Sequence, residues 1–281
     1  MPNPKPFYGI TINNIPYART GQGKKSLLLL TGGPGNSIPM GMGFDMMLGS
    51  LKRFLSEYTI YMVSRRSSLP EGYTTKDMSD DIAELIQMQF AGHVEVIIGM
   101  SYGGTIAQHF AADHADLCDH LTIAMATHKI TEAGKILDTR YAELLSQGKS
   151  REAAALIVQV LYPPGPIRWI MRGVVWLLGG ALLGIPSPTF RQDVLVEIQA
   201  ELNHNATESL KRIKIPILIL IGGNDYYFEA DSAKEMAAMI PGARLKIYPG
   251  RGHEIMGEKE FAQDVAKFIG RNDGQLENEF D

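Results

Sequence analysis

The sequence predicts an α/β fold: a mostly parallel, eight-stranded sheet with helices on both faces and a helical block inserted late in the chain. Three features predict it. Short continuous apolar runs such as Ser26–Leu30 and Ile215–Ile221 read as strands buried on both faces. These runs alternate with longer stretches of helical spacing, as when crossover helices join parallel strands. Between residues 129 and 210 the strand signals vanish and helical patterns dominate, after which the alternation returns.

Each element can be justified in turn. Tyr8–Ile12 and Ile15–Arg19 are short strands around Asn13-Asn14, a hairpin-type turn, and Gly21-Gln22-Gly23 makes the next turn. Ser26–Leu30 ends abruptly in Thr31-Gly32-Gly33-Pro34-Gly35. Phe44–Leu55 has helical spacing, and Thr59–Val63 is a β-branched and aromatic strand. Asp77 is expected to cap a helix that runs through Phe90. Val94–Ile98 is a buried strand, followed at once by Gly99-Met100-Ser101-Tyr102-Gly103-Gly104 and by helical pattern to about Ala112. Leu121–Met125 is the sixth strand. The helical block is broken by Pro163-Pro164-Gly165-Pro166 and by Pro186 and Pro188. Ile215–Ile221 resumes the sheet, followed by a helix over Asp231–Met239, a strand over Arg244–Tyr248 and a closing helix over Phe261–Ile269. The polar tail Asn272–Asp281 is expected to fray. The domain division is then a core of residues 1–128 and 211–281 with a helical cap of 129–210. A cap inserted there would lie over the strand ends where open α/β sheets bind ligands.

Composition bounds the partners. The 281 residues are 45% hydrophobic and 21% charged, the balance of a globular chain with a full core. A net charge of −4 argues against a nucleic-acid partner, which needs a basic surface. Cys118 is the lone cysteine, so neither an internal disulfide nor a cysteine-rich zinc site can form, and no metal or other cofactor is expected. The start MPNPKPFYGI lacks a secretory pattern, and together with the single thiol it points to a cytoplasmic location. The most apolar window, Ile167–Ile185, is interrupted by Arg168 and Arg172. That falls short of the ~20 apolar residues of a membrane span and suggests a buried or pocket-lining helix, with contact at a membrane surface as the lesser alternative. Gly21–Ser26 lacks the first glycine of a phosphate loop, and His253-Glu254 lacks the second histidine of a zinc motif. Oligomeric state is not indicated.

The chemistry is carried by Gly99-Met100-Ser101-Tyr102-Gly103, a G-x-S-x-G placed between a strand and a helix. A turn that tight needs small residues on both sides of the serine, and it lifts Ser101 to a helix N-terminus that favours developing negative charge. A serine hydroxyl needs a base held by an acid. Asp225 follows Ile215–Ile221, and His253 follows Arg244–Tyr248, so both emerge at the same sheet edge as Ser101. His128 stands at that edge too but precedes Asp225 in the chain, which suits a pocket-lining role better than that of the base. An oxyanion would be held by backbone N–H groups, one from Tyr102 and one from the loop Thr31–Gly35, where Gly33 is the preferred donor. Pro34 has no N–H to give. Trp169 and Trp176 are candidates for an apolar substrate pocket in the cap.

With these residues in order, the chain resembles the α/β-hydrolase superfamily over nearly its whole length. Thr31-Gly32-Gly33-Pro34-Gly35 is similar to the His-Gly-Gly-Pro-Gly loop of proline-iminopeptidase-like members. The resemblance implies a cofactor-free serine hydrolase with Ser101, His253 and Asp225 as its triad, acting on a small-molecule ester. Three departures bear on the substrate. Thr31 stands where the family has a loop-bracing histidine. Ser64-Arg65-Arg66-Ser67-Ser68 replaces an Asp-x-Arg-Gly-x-Gly segment. No acidic cap residue for a substrate amine stands out. The expectation is therefore a carboxylesterase-like enzyme, with an aminopeptidase or amidase, or a non-catalytic ligand-binding member of the fold, as alternatives.

Overall fold

The computed structural model describes residues 5–162, 165–182 and 187–270. In chain order the elements are β1 (Phe7–Ile10), β2 (Pro16–Thr20), β3 (Lys25–Leu30), α1 (Met42–Leu48), β4 (Tyr58–Val63), α2 (Thr75–Gln89), β5 (Val94–Met100), α3 (Tyr102–Asp113) and β6 (Cys118–Ala124). There follow α4 (Glu132–Ser146), α5 (Ser150–Leu161), α6 (Pro166–Leu182), α7 (Phe190–Leu202) and α8 (Thr207–Leu210). The chain closes with β7 (Ile217–Gly222), α9 (Ala230–Met239), β8 (Arg244–Tyr248) and α10 (Lys259–Ile269). The strands form one eight-stranded sheet in the order β1-β2-β4-β3-β5-β6-β7-β8. Only the β1–β2 and β2–β4 pairings are antiparallel. The α/β class and the eight strands are those predicted.

The core follows from the two-residue period of the strands. Leu27, Leu29, Val96, Ile98, Leu218 and Leu220 face α1 and α10, where they meet Phe44, Phe261 and Phe268. Leu28, Leu30, Ile97, Ile123, Ile219 and Ile221 face the other side, among Ile82, Ile106, Phe110 and Phe228. Boundaries moved where local chemistry outweighs hydrophobic pattern. Thr74, not Asp77, caps α2: its hydroxyl accepts from the Asp77 N–H while the Asp77 carboxylate accepts from the Thr74 N–H, a reciprocal capping box. The predicted helix Phe44–Leu55 divides at Gly49, whose φ of 48° breaks the α-helix before a 3-10 turn over Gly49–Phe54. The expected tail Asn272–Asp281 lies outside the described residues.

The helices α4 to α8 occupy the connection between β6 and β7. Of these, α4, α5 and α7 share a small core of Tyr141, Leu144, Ala153, Val194 and Ile198. Buried acids tie them to the sheet domain: the Asp193 carboxylate accepts from the Ser68 and Leu69 N–H groups and from Asn36. One expectation is overturned in its first half, burial, while Arg168 of the same helix lines a cavity described below. The apolar helix α6 is not buried: Ile167, Trp169, Ile170, Trp176 and Leu177 face outward. The helix packs on α5, while its half-buried side chains Arg168, Met171, Arg172 and Val175 lie off the outward stripe. Composition indicates how apolar a helix is, but not on how many sides it finds neighbours. Residues 183–185 of that apolar window lie outside the described residues. No helix among the described residues is long and apolar enough to cross a membrane.

Candidate active site

Ser101 sits between the end of β5 and the start of α3, with φ 51° and ψ −119°, a conformation non-glycine residues seldom adopt. The neighbouring glycines are required by crowding. A Cβ on Gly103 would lie 2.3 Å from the Leu30 carbonyl oxygen, and one on Gly99 would lie 2.6 Å from the Gly103 oxygen and from the Ala107 methyl. The helix is thus pressed against the sheet, and the serine side chain projects from the sheet's edge.

His253 and Asp225 are brought to it by the loops after β8 and β7. Those loops are fastened together: the Asn224 N–H donates to the Arg251 carbonyl at 2.7 Å, and a Cβ on Gly222 would lie 2.1 Å from the Gly252 oxygen. His253 Nε2 lies 2.9 Å from Ser101 Oγ, and His253 Nδ1 lies 2.7 Å from Asp225 Oδ2. Because an ionised carboxylate can only accept, Nδ1 carries the proton and Nε2 is left to accept from the serine hydroxyl. The other Asp225 oxygen accepts from the Tyr227 and Phe228 N–H groups, both at 3.0 Å, which fixes the carboxylate. The Phe228 ring stacks on the imidazole with centroids 6.0 Å apart. Asp225 and His253 are both buried. An arrangement of this kind can take a proton from a hydroxyl and stabilise the resulting imidazolium.

The loop after β3 approaches the same point. A Cβ on Gly32 would lie 2.9 Å from Ser101 Cβ. Gly33 has φ 69° with open space where its side chain would be, so conformation rather than crowding calls for glycine. Tyr102 is the first residue of α3, where helix geometry leaves N–H groups without an intrahelical acceptor. Its ring is fully buried, and its hydroxyl donates to the Glu197 carbonyl at 2.8 Å.

Two residues that sequence reasoning did not single out brace this loop. Arg65, directly after β4, donates from Nη1 to the Thr31 carbonyl and hydroxyl at 2.8 and 3.0 Å. From Nη2 it donates to the Gly33 carbonyl at 2.6 Å, to the Gly35 carbonyl, and to the Glu197 carboxylate at 3.1 Å. Its guanidinium also lies 5.0 Å from the Tyr102 ring centre. Glu197, on α7, accepts from the Gly35 N–H through the same oxygen. Burial pushes the Glu197 carboxyl up, while Arg65 and the Gly35 N–H pull it back. A signal for Glu197 did exist: Asp193, Glu197 and Glu201 recur every four residues, on one helix face. All three are buried. Glu201 and Asp138 meet the Tyr227 hydroxyl, which donates to Asp138 at 2.5 Å. Burial raises Asp138 to about 6 and Glu201 well above the usual carboxylate range.

A cavity of about 480 Å³ opens beside His253, lined among others by Gln159, Leu161, Arg168, Tyr226 and Glu254. Its wall includes neither Trp169, Trp176 and His128 nor Ser101 itself. Both indoles face solvent, with Arg172 and Arg151 respectively 5.3 Å from their ring centres. His128 is buried elsewhere, 3.7 Å from Glu235, and burial lowers its pKa. Among the described residues no three His, Cys, Asp or Glu side chains are grouped to hold a metal.

Comparison with known proteins agrees with this fold. RutD of Caulobacter sp. strain K31, named provisionally as a carbamate hydrolase, is 26% identical, with 78% of this chain and 83% of that protein aligned. The monoacylglycerol lipase ABHD6 of Rattus norvegicus is 24% identical over 81% of this chain and 73% of its own. The crystal structure of the enol-lactonase from Burkholderia xenovorans LB400 superposes with a TM-score of 0.75 at 17% identity, covering 94% of this chain and all of the other. The family described as the alpha/beta hydrolase family matches residues 27–268, most of the sequence, and the chain belongs to that family.

Proposed function

We propose that the chain hydrolyses a small to medium carboxylic ester through an acyl-enzyme on Ser101. The observation that carries this reading is the continuous hydrogen-bonded chain from Ser101 Oγ through His253 to Asp225. In the forward step Oγ attacks the ester carbonyl carbon as its proton passes to His253 Nε2. The tetrahedral oxyanion is held by the Gly33 and Tyr102 N–H groups. Collapse breaks the bond to the alcohol oxygen, which takes the proton from Nε2. A water then gives its proton to Nε2 and attacks the acyl carbon, and the acid leaves as Oγ recovers the proton. Asp225 keeps the imidazole in the required tautomer throughout.

Residues 129–210 serve in this reading as the cap, with α5 and α6 contributing Gln159, Leu161 and Arg168 to the cavity wall. The name of the lipase relative supports an ester substrate. A second reading, cleavage of a carbamate or amide, is favoured by the RutD relative. The buried cap acids tell against a peptidase. Asp193 and Glu197 are taken up by core loops, and Asp138 and Glu201 by Tyr227. The test is labelling with a fluorophosphonate. Wild type is expected to label and Ser101→Ala to remain unlabelled. An unlabelled wild type, beside a labelled control hydrolase, would remove Ser101 as nucleophile and leave the ligand-binding alternative. Faster turnover of arylamides or aryl carbamates than of p-nitrophenyl esters would reverse the order of the two readings.

A further inference from the structure

We propose that the outward face of α6 docks on a lipid bilayer bearing anionic headgroups. A helix on a protein surface normally turns its apolar stripe inward. Here the stripe points out. Pro166, Ile167, Trp169, Ile170, Gly173, Val174, Trp176 and Leu177 recur at heptad-like spacing and are all exposed. The exposures are large, at 64% for Ile167, 70% for Trp169, 65% for Ile170 and 67% for Leu177. No charged or hydrogen-bonding side chain interrupts this stripe, apart from the indole N–H groups. A contiguous apolar face of this kind marks a contact surface rather than scattered exposure.

Charge selects the occupant. The chain carries −4 overall, yet residues 153–192 contain Arg168, Arg172 and Arg191 and no aspartate or glutamate. Arg172 and Arg151 lie beside the Trp169 and Trp176 rings, so cations border the apolar face. Apolar side chains flanked by arginines, with indoles between, suit the boundary of acyl chains, headgroups and phosphates. A second copy of the chain would bring the arginines of one α6 against those of the other, with Glu152 beside Arg151 as the nearest preceding acid in the sequence. At 17 residues α6 lies in the plane of the surface rather than across it. Arg168, on the side of α6 away from the outward stripe, lines the cavity beside His253. Hydrolysis of a lipid-phase ester rests on the hydrolase reading, whereas the docking does not.

Both tryptophans of the chain are on α6, so tryptophan emission, excited beyond the tyrosine band, reports on this helix alone. The full chain is titrated with phosphatidylcholine vesicles with and without phosphatidylglycerol. The expected result is a blue shift and co-sedimentation with the anionic vesicles, quenching by brominated acyl chains, and weakening in high salt. Ile170→Gln/Leu177→Gln keeps both reporters, and is expected to lose at least about tenfold in vesicle affinity with p-nitrophenyl ester turnover unchanged. Absence of binding to anionic vesicles, or undiminished binding by the variant, would overturn the proposal. A lipid-independent blue shift that grows with protein concentration, with dimers in sedimentation velocity, would overturn it in favour of a second copy. Vesicle binding by a chain that hydrolyses no ester would overturn the functional reading and leave the docking intact.

Discussion

Arg65→Met is the most informative perturbation of the loop after β3, the proposed oxyanion loop. Methionine keeps much of the side-chain length and removes the charge and every donor. Three loop carbonyls, Thr31, Gly33 and Gly35, lose their shared cation, and the Glu197 carboxylate loses its ion-pair partner. Removing one member of a buried pair costs about 3–5 kcal/mol, chiefly because a charge is left buried alone. Glu197 has a way out, since burial already pushes its carboxyl up and protonation would neutralise it. The cost is therefore expected near the lower bound, about 3 kcal/mol at pH 7, and smaller at pH 5. The sign follows from a folded-state pKa raised still further in the variant, which favours the folded form as pH falls. Adding Glu197→Gln is expected to recover about 2 kcal/mol in urea denaturation, because no uncompensated charge then remains. Activity should not follow stability. With the loop carbonyls unbraced, the Gly33 N–H loses its aim, and kcat for a p-nitrophenyl ester should fall about 10²–10³-fold in both variants. Arg65→Lys should not rescue it, since a single ammonium cannot present a fork to three carbonyls and a carboxylate. The reasoning fails if Arg65→Met costs less than about 1 kcal/mol, or if the double variant regains kcat along with stability.

Two further perturbations have signs set by local geometry. Burial, with His109 and His128 nearby, lowers His204 to about 3, so its imidazole is neutral in the folded chain. A depressed histidine contributes stability above its unfolded pKa and loses it as pH falls. The stability difference between wild type and His204→Gln should thus shrink by about 2 kcal/mol from pH 7 to pH 5, read by urea denaturation at each pH. A pH-independent difference would show that the imidazole is solvated. Gly103→Ala places its Cβ 2.3 Å from the Leu30 oxygen and should cost at least about 3 kcal/mol. Gly173→Ala on α6, where a Cβ meets nothing within 4 Å, should instead raise stability by roughly 0.5–1 kcal/mol. Equal melting temperatures for these two variants would contradict the crowding assigned to the elbow.

What could be read in advance divides by the range of the interaction. Strand order signals are local, and β8 was placed without error because Arg244–Tyr248 is bounded by clear turn residues. Ser101, Asp225 and His253 were legible because each stands at a strand end, and parallel strands put their ends on one edge. Arg65 stands out in the sequence only as part of a departure, since three of its five acceptors are backbone carbonyls, which carry no sequence signature. The apolarity of Trp169 and Trp176 suggests a pocket, but apolarity alone does not imply burial. The side of α6 that meets α5 is decided by packing between helices, which the pattern of one helix does not encode.

The two departures at the loop have one explanation. The resembling family braces this loop with a histidine at the position of Thr31, and this chain has none. Arg65 reaches the Thr31 hydroxyl and carbonyl and extends to Gly33 and Gly35, so the altered segment Ser64–Ser68 supplies the brace that position 31 gave up. The exchange has a consequence for the inserted helices. Arg65 is itself held by Glu197 on α7, and Glu197 also accepts from the Gly35 N–H. The Tyr102 hydroxyl, one residue from Ser101, donates to the backbone of the same glutamate. A displacement of α7 therefore acts on both sides of the proposed oxyanion position at once. In this chain the geometry around Ser101 depends on a helix of the insertion as well as on the sheet, so substitutions that loosen α7 should lower kcat even where they touch none of the reacting groups.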